Sequence, residues 1–128
     1  QPQIKTNRYI TKNICYHAAV MANDIEAKAI TTLTNSGYTA FQVSAWRPHA
    51  HVLVFTSNRR ILTQLNLLWG VNAFFYDKFV STDDTIDDIN AIAKAKGFVK
   101  KGEMLVNLAA MPVASKGMVN TLRISEIE

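Results

Sequence analysis

Short apolar segments alternate with amphipathic segments along most of the sequence, and this alternation restricts the fold more than any other feature. Residues 52–55 (V-L-V-F) are apolar without interruption, as expected of a parallel strand that is covered on both faces. In residues 5–23, by contrast, apolar side chains recur every three or four positions, which is typical of a helix that buries one stripe. Strands and helices in this order predict a parallel sheet between layers of helices.

The predicted elements follow from these patterns and from the turn residues between them. Asn23-Asp24 ends the first helix, and Gly37, Gly70 and Gly97 mark further boundaries. Strands are predicted at 29–33, 52–55, 71–76 and 104–109, and helices at 5–23, at 38–46, after Asn58 and after Ser81. In the third helix, Ile61, Leu62, Leu65, Leu68 and Trp69 are expected to share one buried face.

The last segment has a different period. Leu122 and Ile124 alternate with polar residues, which is the pattern of a half-buried strand. The loop before it, residues 112–117, is too short for a crossover helix, so this strand should run antiparallel to its predecessor. The predicted fold is α/β: a three-layer α/β/α domain with a mostly parallel five-stranded sheet whose last strand is antiparallel at an edge.

Composition limits the class of protein. A chain of 128 residues with 48% hydrophobic residues is expected to form one domain over residues 1–128, and no apolar run approaches a membrane span. The single cysteine, Cys15, excludes a disulfide framework and favours a reducing, cytoplasmic location. Because the chain starts at Gln1 without an initiator methionine, we expect it to come from a larger protein.

The net charge of +4 is unevenly distributed. Residues 1–64 hold seven basic and two acidic side chains (+5), and residues 65–128 hold seven and eight (−1). A basic half can attract phosphates, although an ordinary mildly basic surface has the same composition. The lysines at 94, 96, 100 and 101 lack interleaved aromatic residues, so no nucleic-acid partner is predicted.

Residues 34–39 (T-N-S-G-Y-T) lie where the first strand meets the second helix. Hydroxyl and amide side chains, a glycine and free N–H groups at a helix start are what a phosphate group requires. The same residues also suit a helix cap that binds no ligand. The pattern leaves both interpretations open.

Other candidate groups favour structural roles. The aspartates at 83, 84, 87 and 88 fall in the first turns of a helix, where carboxylates are stabilised by the dipole, so they predict a solvated face. His49 and His51 lack an evident third metal ligand, and Cys15 lacks a basic neighbour that would activate it. No metal site and no catalytic residue is predicted.

The order of the motifs resembles one family. The segment T-N-S-G-Y-T-A at 34–40, followed by W-R-P at 46–48, resembles the T-x-S-G-[YR]-[ST]-A…[YFW]-R-P segment of pyruvate kinase. Further similar blocks are T-S-N at 56–58, L-W-G-V at 68–71, G-F-V-K-K-G-E at 97–103, and P-V at 112–113 followed by G-M-V-N-T at 117–121. The chain looks like an isolated C-terminal domain of the bacterial type.

This resemblance implies a regulatory and assembly role. In the family, the catalytic barrel and its magnesium and potassium ions belong to a separate domain, so the fragment alone is not expected to be catalytic. The resemblance assigns the phosphate of a phosphorylated effector to the loop at residues 34–39 and to a lysine in the final loop, residues 111–117. The implied effector residues are Thr34, Asn35, Ser36, Gly37, Tyr38, Thr39 and Lys116. Animal members that bind fructose 1,6-bisphosphate commonly carry arginine where this chain has Tyr38, so the effector is left unidentified.

The resemblance also implies partners. C-terminal domains of the family meet about a two-fold axis in a homotetramer, which assigns Leu122, Arg123 and Ile124 to an interface. The catalytic barrel of the same chain is a further expected partner, and no membrane is expected. The expected function is that of the allosteric and oligomerisation domain of an enzyme that transfers phosphate from phosphoenolpyruvate to ADP. The alternative is a free-standing α/β protein or enzyme that uses the same loop for a phosphorylated ligand.

Overall fold

The computed structural model describes residues 7–78, 81–110 and 119–128. Within these residues, four helices, a 3-10 turn and five strands follow one another in the predicted order. Their bounds are α1 Asn7–Asp24, β1 Ala29–Leu33, α2 Tyr38–Ala45, β2 His51–Thr56, a 3-10 turn Arg59–Ile61, α3 Leu62–Asn66, β3 Val71–Phe75, α4 Thr82–Ala95, β4 Met104–Ala109 and β5 Thr121–Glu126. No helix in these described ranges is both long and apolar enough to cross a bilayer.

The five strands form one sheet in the order β3-β2-β1-β4-β5. β1 pairs in parallel with both β2 and β4, and β2 pairs in parallel with β3. β5 runs antiparallel to β4, with Val106 opposite Ile124. The predicted mostly parallel sheet with an antiparallel edge strand is confirmed.

Alternate residues of the central strands enter two separate cores. Ile30, Val52 and Val106 point to one face, where they pack against side chains of α1, α2 and α3. Leu53 and Leu105 point to the other face, where they pack against α4. Since both faces are covered, both sets of strand residues must be apolar, which explains the uninterrupted apolar runs.

A buried polar network joins the sheet to α4. The Asn107 amide nitrogen on β4 donates to Thr31 Oγ1 at 2.7 Å and to Asn90 Oδ1 at 2.9 Å, and Ser125 Oγ donates to the Asn107 amide oxygen. A buried amide without partners costs about 1–3 kcal/mol, so the network favours this placement of β5 and α4 over alternatives.

The third helix is shorter than predicted, and its expected apolar face is confirmed for Ile61, Leu65 and Leu68, which pack in or against the core, but is wrong for Trp69. Leu65 is buried, but Leu67 and Trp69 are exposed. The N–H groups of Leu67 and Leu68 bond to carbonyls three residues back, which tightens the chain, and Asn66 Oδ1 accepts the N–H of Ala73. The segment 67–70 is therefore a turn and not a helix.

Helices α1 and α4 end in the same Schellman motif with different residues at the left-handed position. After α4, Gly97 (φ 86°) occupies this position, with the Phe98 N–H bonded to Ala93 O. After α1, Glu26 (φ 55°) occupies it, with the Ala27 N–H bonded to Ala22 O. A side chain at positive φ is strained, whereas glycine is not.

Glu26→Gly should therefore stabilise the domain. Relief of the left-handed strain outweighs the entropy that glycine adds to the unfolded chain, so the free energy of unfolding should rise by about 0.5–1 kcal/mol. Urea unfolding followed by circular dichroism measures the change. Gly97→Glu at the equivalent position of α4 is the matched reverse and should destabilise by about 1 kcal/mol. Equal midpoints for wild type and Glu26→Gly would contradict the argument.

Candidate functional site

The loop between β1 and α2, residues 34–37, lies at the carboxyl end of the sheet. Its first N–H, that of Thr34, donates to Phe55 O at 3.0 Å, so the loop continues the β1–β2 pairing before it turns. Gly37 then adopts φ 83°, and a Cβ at this position would lie 3.1 Å from Leu65 Cδ2. Both the backbone angle and the close approach of α3 require glycine here.

The hydroxyl groups of the loop bind its own backbone. Thr34 Oγ1 accepts the N–H of Gly37 at 3.1 Å, and Ser36 Oγ accepts the N–H of Tyr38 at 3.3 Å. Gly37 is the N-cap of α2, and no side chain caps the helix. The first N–H groups of a helix lack intrahelical partners. In α2, Ser36 Oγ accepts that of Tyr38, so those of Thr39 and Ala40 are the candidates for an anion. The N-cap residue is Gly37, but the hydroxyls of Thr34 and Ser36 accept N–H groups at the helix start, so the helix-cap interpretation and the phosphate interpretation both remain open.

A second loop holds the first in place. Ser57 Oγ donates to Asn35 Oδ1, and Asn58 Nδ2 donates to Asn35 O, both at 3.2 Å. The Asn58 side chain also caps the following turn by accepting the N–H of Arg60. The motif at 56–58 predicted the cap, but the cross-link to Asn35 depends on the adjacency of β1 and β2.

The structure gathers Thr34, Asn35, Ser36, Gly37 and Tyr38 in one loop. Thr39 differs from these because its residue is only 4% exposed, inside the first turn of α2. Asn35 and Ser36 are exposed, and Tyr38 is half-buried. Lys116 and the predicted closing loop, residues 111–117, lie outside the described residues.

The electrostatics around this loop favour an anion. The guanidinium carbon of Arg8 lies 4.3 Å from the centre of the Tyr38 ring, which places a cation beside the loop from α1. Between residues 27 and 76 the sequence contains Lys28, Arg47, Arg59 and Arg60 and no carboxylate side chain. Sequence reasoning missed Arg8, since α1 and α2 are brought together only by the fold.

Cys15 and the aspartates of α4 occupy structural positions. Burial raises the pKa of the Cys15 thiol to about 12, so the thiolate needed for nucleophilic chemistry is not formed at neutral pH. Asp83, Asp84 and Asp87 are exposed, and Asp88 accepts a hydrogen bond from Tyr76. Among the described residues, no three His, Cys, Asp or Glu side chains are placed to hold a metal ion.

The predicted interface residues lie on the edge strand β5. Leu122 packs against the core beside α1, whereas Ile124 on the same face is 41% exposed. Arg123 points to the α4 side and pairs with Asp83 of the same chain at 3.3 Å. Beside β5 lies a groove of about 660 Å³ that α4 and β5 line together. In the part of the chain that the structure describes, no further strand pairs with the outer side of β5.

The fold and the loop define a three-layer α/β domain that presents a hydroxyl-rich loop and a helix N-terminus at the carboxyl ends of parallel strands, where ligands of such sheets bind. The family described as "Pyruvate kinase, alpha/beta domain" matches residues 12–125. The chain belongs to this family.

Individual relatives agree with this assignment. A pyruvate kinase of Clostridium acetobutylicum is 37% identical over 123 residues, which cover 96% of this chain and 25% of that protein. A pyruvate kinase from Lactobacillus delbrueckii subsp. bulgaricus is 30% identical over 118 residues, and the match covers 20% of that protein. The solved structure of a pyruvate kinase from Cryptosporidium parvum shares the fold (TM-score 0.82, 22% identity), with 93% of this chain and 23% of that chain covered. The chain thus spans a quarter or less of these relatives.

Tyr76 ends β3 at the same side of the sheet as the loop, and its hydroxyl donates to Asp88 Oδ2 at 2.9 Å. Burial and the neighbouring Asp88 carboxylate raise the pKa of Tyr76 to about 12. The unfolded pKa is about 10. Protonated Tyr76 therefore stabilises the fold fully below about pH 10, and this contribution is lost as the pH rises from about 10 to 12.

Tyr76→Phe should remove this part of the alkaline loss of stability. Urea midpoints measured at intervals from pH 8 to the alkaline limit should fall less steeply above about pH 10 in the variant than in the wild type. Tyr16→Phe, at an exposed tyrosine, is the control and should keep the wild-type profile. Parallel profiles for Tyr76→Phe and wild type would show that the Tyr76–Asp88 contact has no such effect.

Proposed function

We propose that this chain is the regulatory and assembly domain of a pyruvate kinase. In the complete enzyme, a catalytic barrel of the same polypeptide, with its magnesium and potassium ions, would transfer phosphate from phosphoenolpyruvate to ADP in the cytoplasm and give pyruvate and ATP. The observation that carries the proposal is the match of the family to residues 12–125 of this chain. The pyruvate kinases similar to the chain are much longer, and the chain covers only 17–25% of their length.

A chimera tests the proposed parent function. In the chimera, this chain replaces the matching segment of the Clostridium acetobutylicum pyruvate kinase. Turnover of phosphoenolpyruvate with ADP is then measured. We expect an active chimera and no turnover by the 128-residue chain alone. Turnover by the isolated chain, or a folded but inactive chimera, would favour the free-standing protein over a domain of pyruvate kinase.

The regulatory part of the proposal assigns a phosphorylated small molecule to the loop at residues 34–39. Three features support it: the N-terminus of α2, the exposed Ser36 hydroxyl beside it, and Arg8 held over the Tyr38 ring. A phosphate at this position would accept charge-assisted hydrogen bonds from backbone N–H groups and from Ser36. Lys116 is proposed to contribute a cation from the final loop.

Ser36→Ala should weaken binding of sugar phosphates with only a small loss of stability, because the contact of Ser36 Oγ with the Tyr38 N–H is long (3.3 Å) and exposed. A missing charge-assisted hydrogen bond should cost about 1–3 kcal/mol of binding, as measured by calorimetry across a panel of sugar phosphates and nucleotides. Ser81→Ala is the matched control, because Ser81 Oγ caps α4 by accepting the Asp84 N–H. It should lose about 1 kcal/mol of stability and keep binding. If Ser36→Ala behaves like Ser81→Ala, the loop has only a structural role.

The assembly part of the proposal assigns a second copy of the domain to the edge of β5, within a homotetramer. The Ile127 N–H donates to Glu103 O on the extension of β4. Because N–H groups alternate in direction along an antiparallel strand, that of Arg123 points toward β4 and that of Ile124 points outward. Two such edges can pair about a two-fold axis, since the pairing is self-complementary.

Ile124→Pro should therefore reduce self-association of the domain. Proline removes the outward N–H but leaves the β4–β5 pairing intact, so the fold should be kept. Sedimentation over a concentration series should show a dimer for the wild type and a monomer for the variant. Ile124→Thr keeps the N–H and the branched side chain and is the control. A dimer that survives in Ile124→Pro would place the contact elsewhere.

A further inference from the structure

The sheet has two outer strands, β3 and β5, and β3 presents three residues at its outer edge. The N–H of Tyr76, just after β3, donates to Thr56 O on β2 at 2.8 Å. Because backbone groups alternate in direction along a strand, those of Val71, Ala73 and Phe75 point away from β2. A strand added to this edge of the sheet would have to pair with these three residues.

Two of the three outward N–H groups already have partners. The N–H of Ala73 donates to Asn66 Oδ1 at 2.9 Å, and that of Val71 donates to Leu68 O at 3.3 Å. The Asn66 amide is itself held, because its Nδ2 donates to Leu62 O at 3.1 Å. Asn66 Oδ1 therefore occupies the position that a carbonyl oxygen of an added strand would take beside Ala73.

The sequence of β3 does not protect this edge. Residues 71–75 (V-N-A-F-F) contain no charged side chain, although charged side chains are a common means of preventing edge strands from pairing. Phe74 and Phe75 are only half-buried. The guanidinium carbon of Arg59 lies 3.7 Å from the centre of the Phe75 ring, so a cation is supplied by the turn before α3. Protection of β3 thus comes from residues 59–66.

The edge formed by β5 lacks such a block. Its outward N–H groups are those of Leu122, Ile124 and Glu126, by the same alternation. Within the described ranges, none of these three N–H groups has a hydrogen-bond partner. The two edges of one sheet therefore differ in their capacity to accept another strand.

We propose that Asn66 blocks the addition of a strand to β3 and thereby restricts strand pairing between copies of this domain to β5. The inference rests on the assembly part of the proposed function. A domain with two open edges could form two different two-fold contacts, which would link copies into an open chain, whereas one open edge gives a closed dimer. Asn66 is thus a specificity-determining residue for self-association.

Amide exchange measured by NMR tests the blocking contact directly. In the wild type, the protection factor of the Ala73 N–H should be at least about tenfold larger than that of the Phe75 N–H, although both lie on the same edge. Equal protection of the two would overturn the inference, and this comparison requires no substitution. Asn66→Ala should remove the difference, whereas Asn66→Asp, which keeps an acceptor oxygen, should retain it.

Sedimentation over a concentration series tests the consequence for assembly. The wild type and Gln64→Ala, at an exposed position of the same helix, should not associate beyond a dimer. Asn66→Ala should form species larger than a dimer that dissociate on dilution. Asn66→Ala combined with Ile124→Pro should return to a dimer, because only β3 is then open.

The outcomes separate this inference from the assembly proposal. If Asn66→Ala associates no further than the wild type does, the inference is overturned and assembly through β5 is unaffected. A wild type that stays monomeric while Asn66→Ala dimerises overturns assembly through β5 and supports the block at β3. Species larger than a dimer in Gln64→Ala, or in the double variant, would show that β3 is not the edge that Asn66 controls, which also overturns the inference.

Discussion

Side chains on both sides of the central strands are buried, and this double coverage determines where the domain can interact with anything else. Ile30 and Val106 pack under α1, α2 and α3, while Leu53 and Leu105 pack under α4. The faces of the sheet are therefore closed to ligands, and free backbone groups remain only at its two ends and its outer edges. Within the described residues, the loop at 34–37 lies at one of these ends and β5 at one of these edges.

The buried amide of Asn107 explains why β5 is held firmly although it is an edge strand. Its partners lie on β1, α4 and β5, so movement of β5 would leave polar groups unsatisfied in a dry interior. The Arg123–Asp83 pair adds little, because it is exposed. The antiparallel edge is thus positioned by a hydrogen-bond network more than by charge.

The sequence predicts much of the fold because the covered sheet imposes apolar runs that can be recognised directly. β1 and β4 begin and end at the predicted residues, and the short final loop correctly indicated the antiparallel strand. The loop at 34–37 was found from residue types, but its support by Ser57 and by Arg8 depends on contacts between distant segments. The exposure of Leu67 and Trp69 could not be foreseen, since apolar character predicts burial without saying whether this domain or another one provides it.

Helix α2 connects the two ends of the sheet. It begins at the loop of residues 34–37 and runs into Trp46, a distance of about 12 Å at 1.5 Å per residue. Helix α1 contacts α2 at its start, where Arg8 lies over Tyr38, and just after its end, where Tyr16 meets Trp46. The two contact residues are eight positions apart in each segment, 8 and 16 in one and 38 and 46 in the other. The two helices therefore lie side by side in the same direction. Close packing between the two helices thus links the loop that precedes α2 to the connection that follows it.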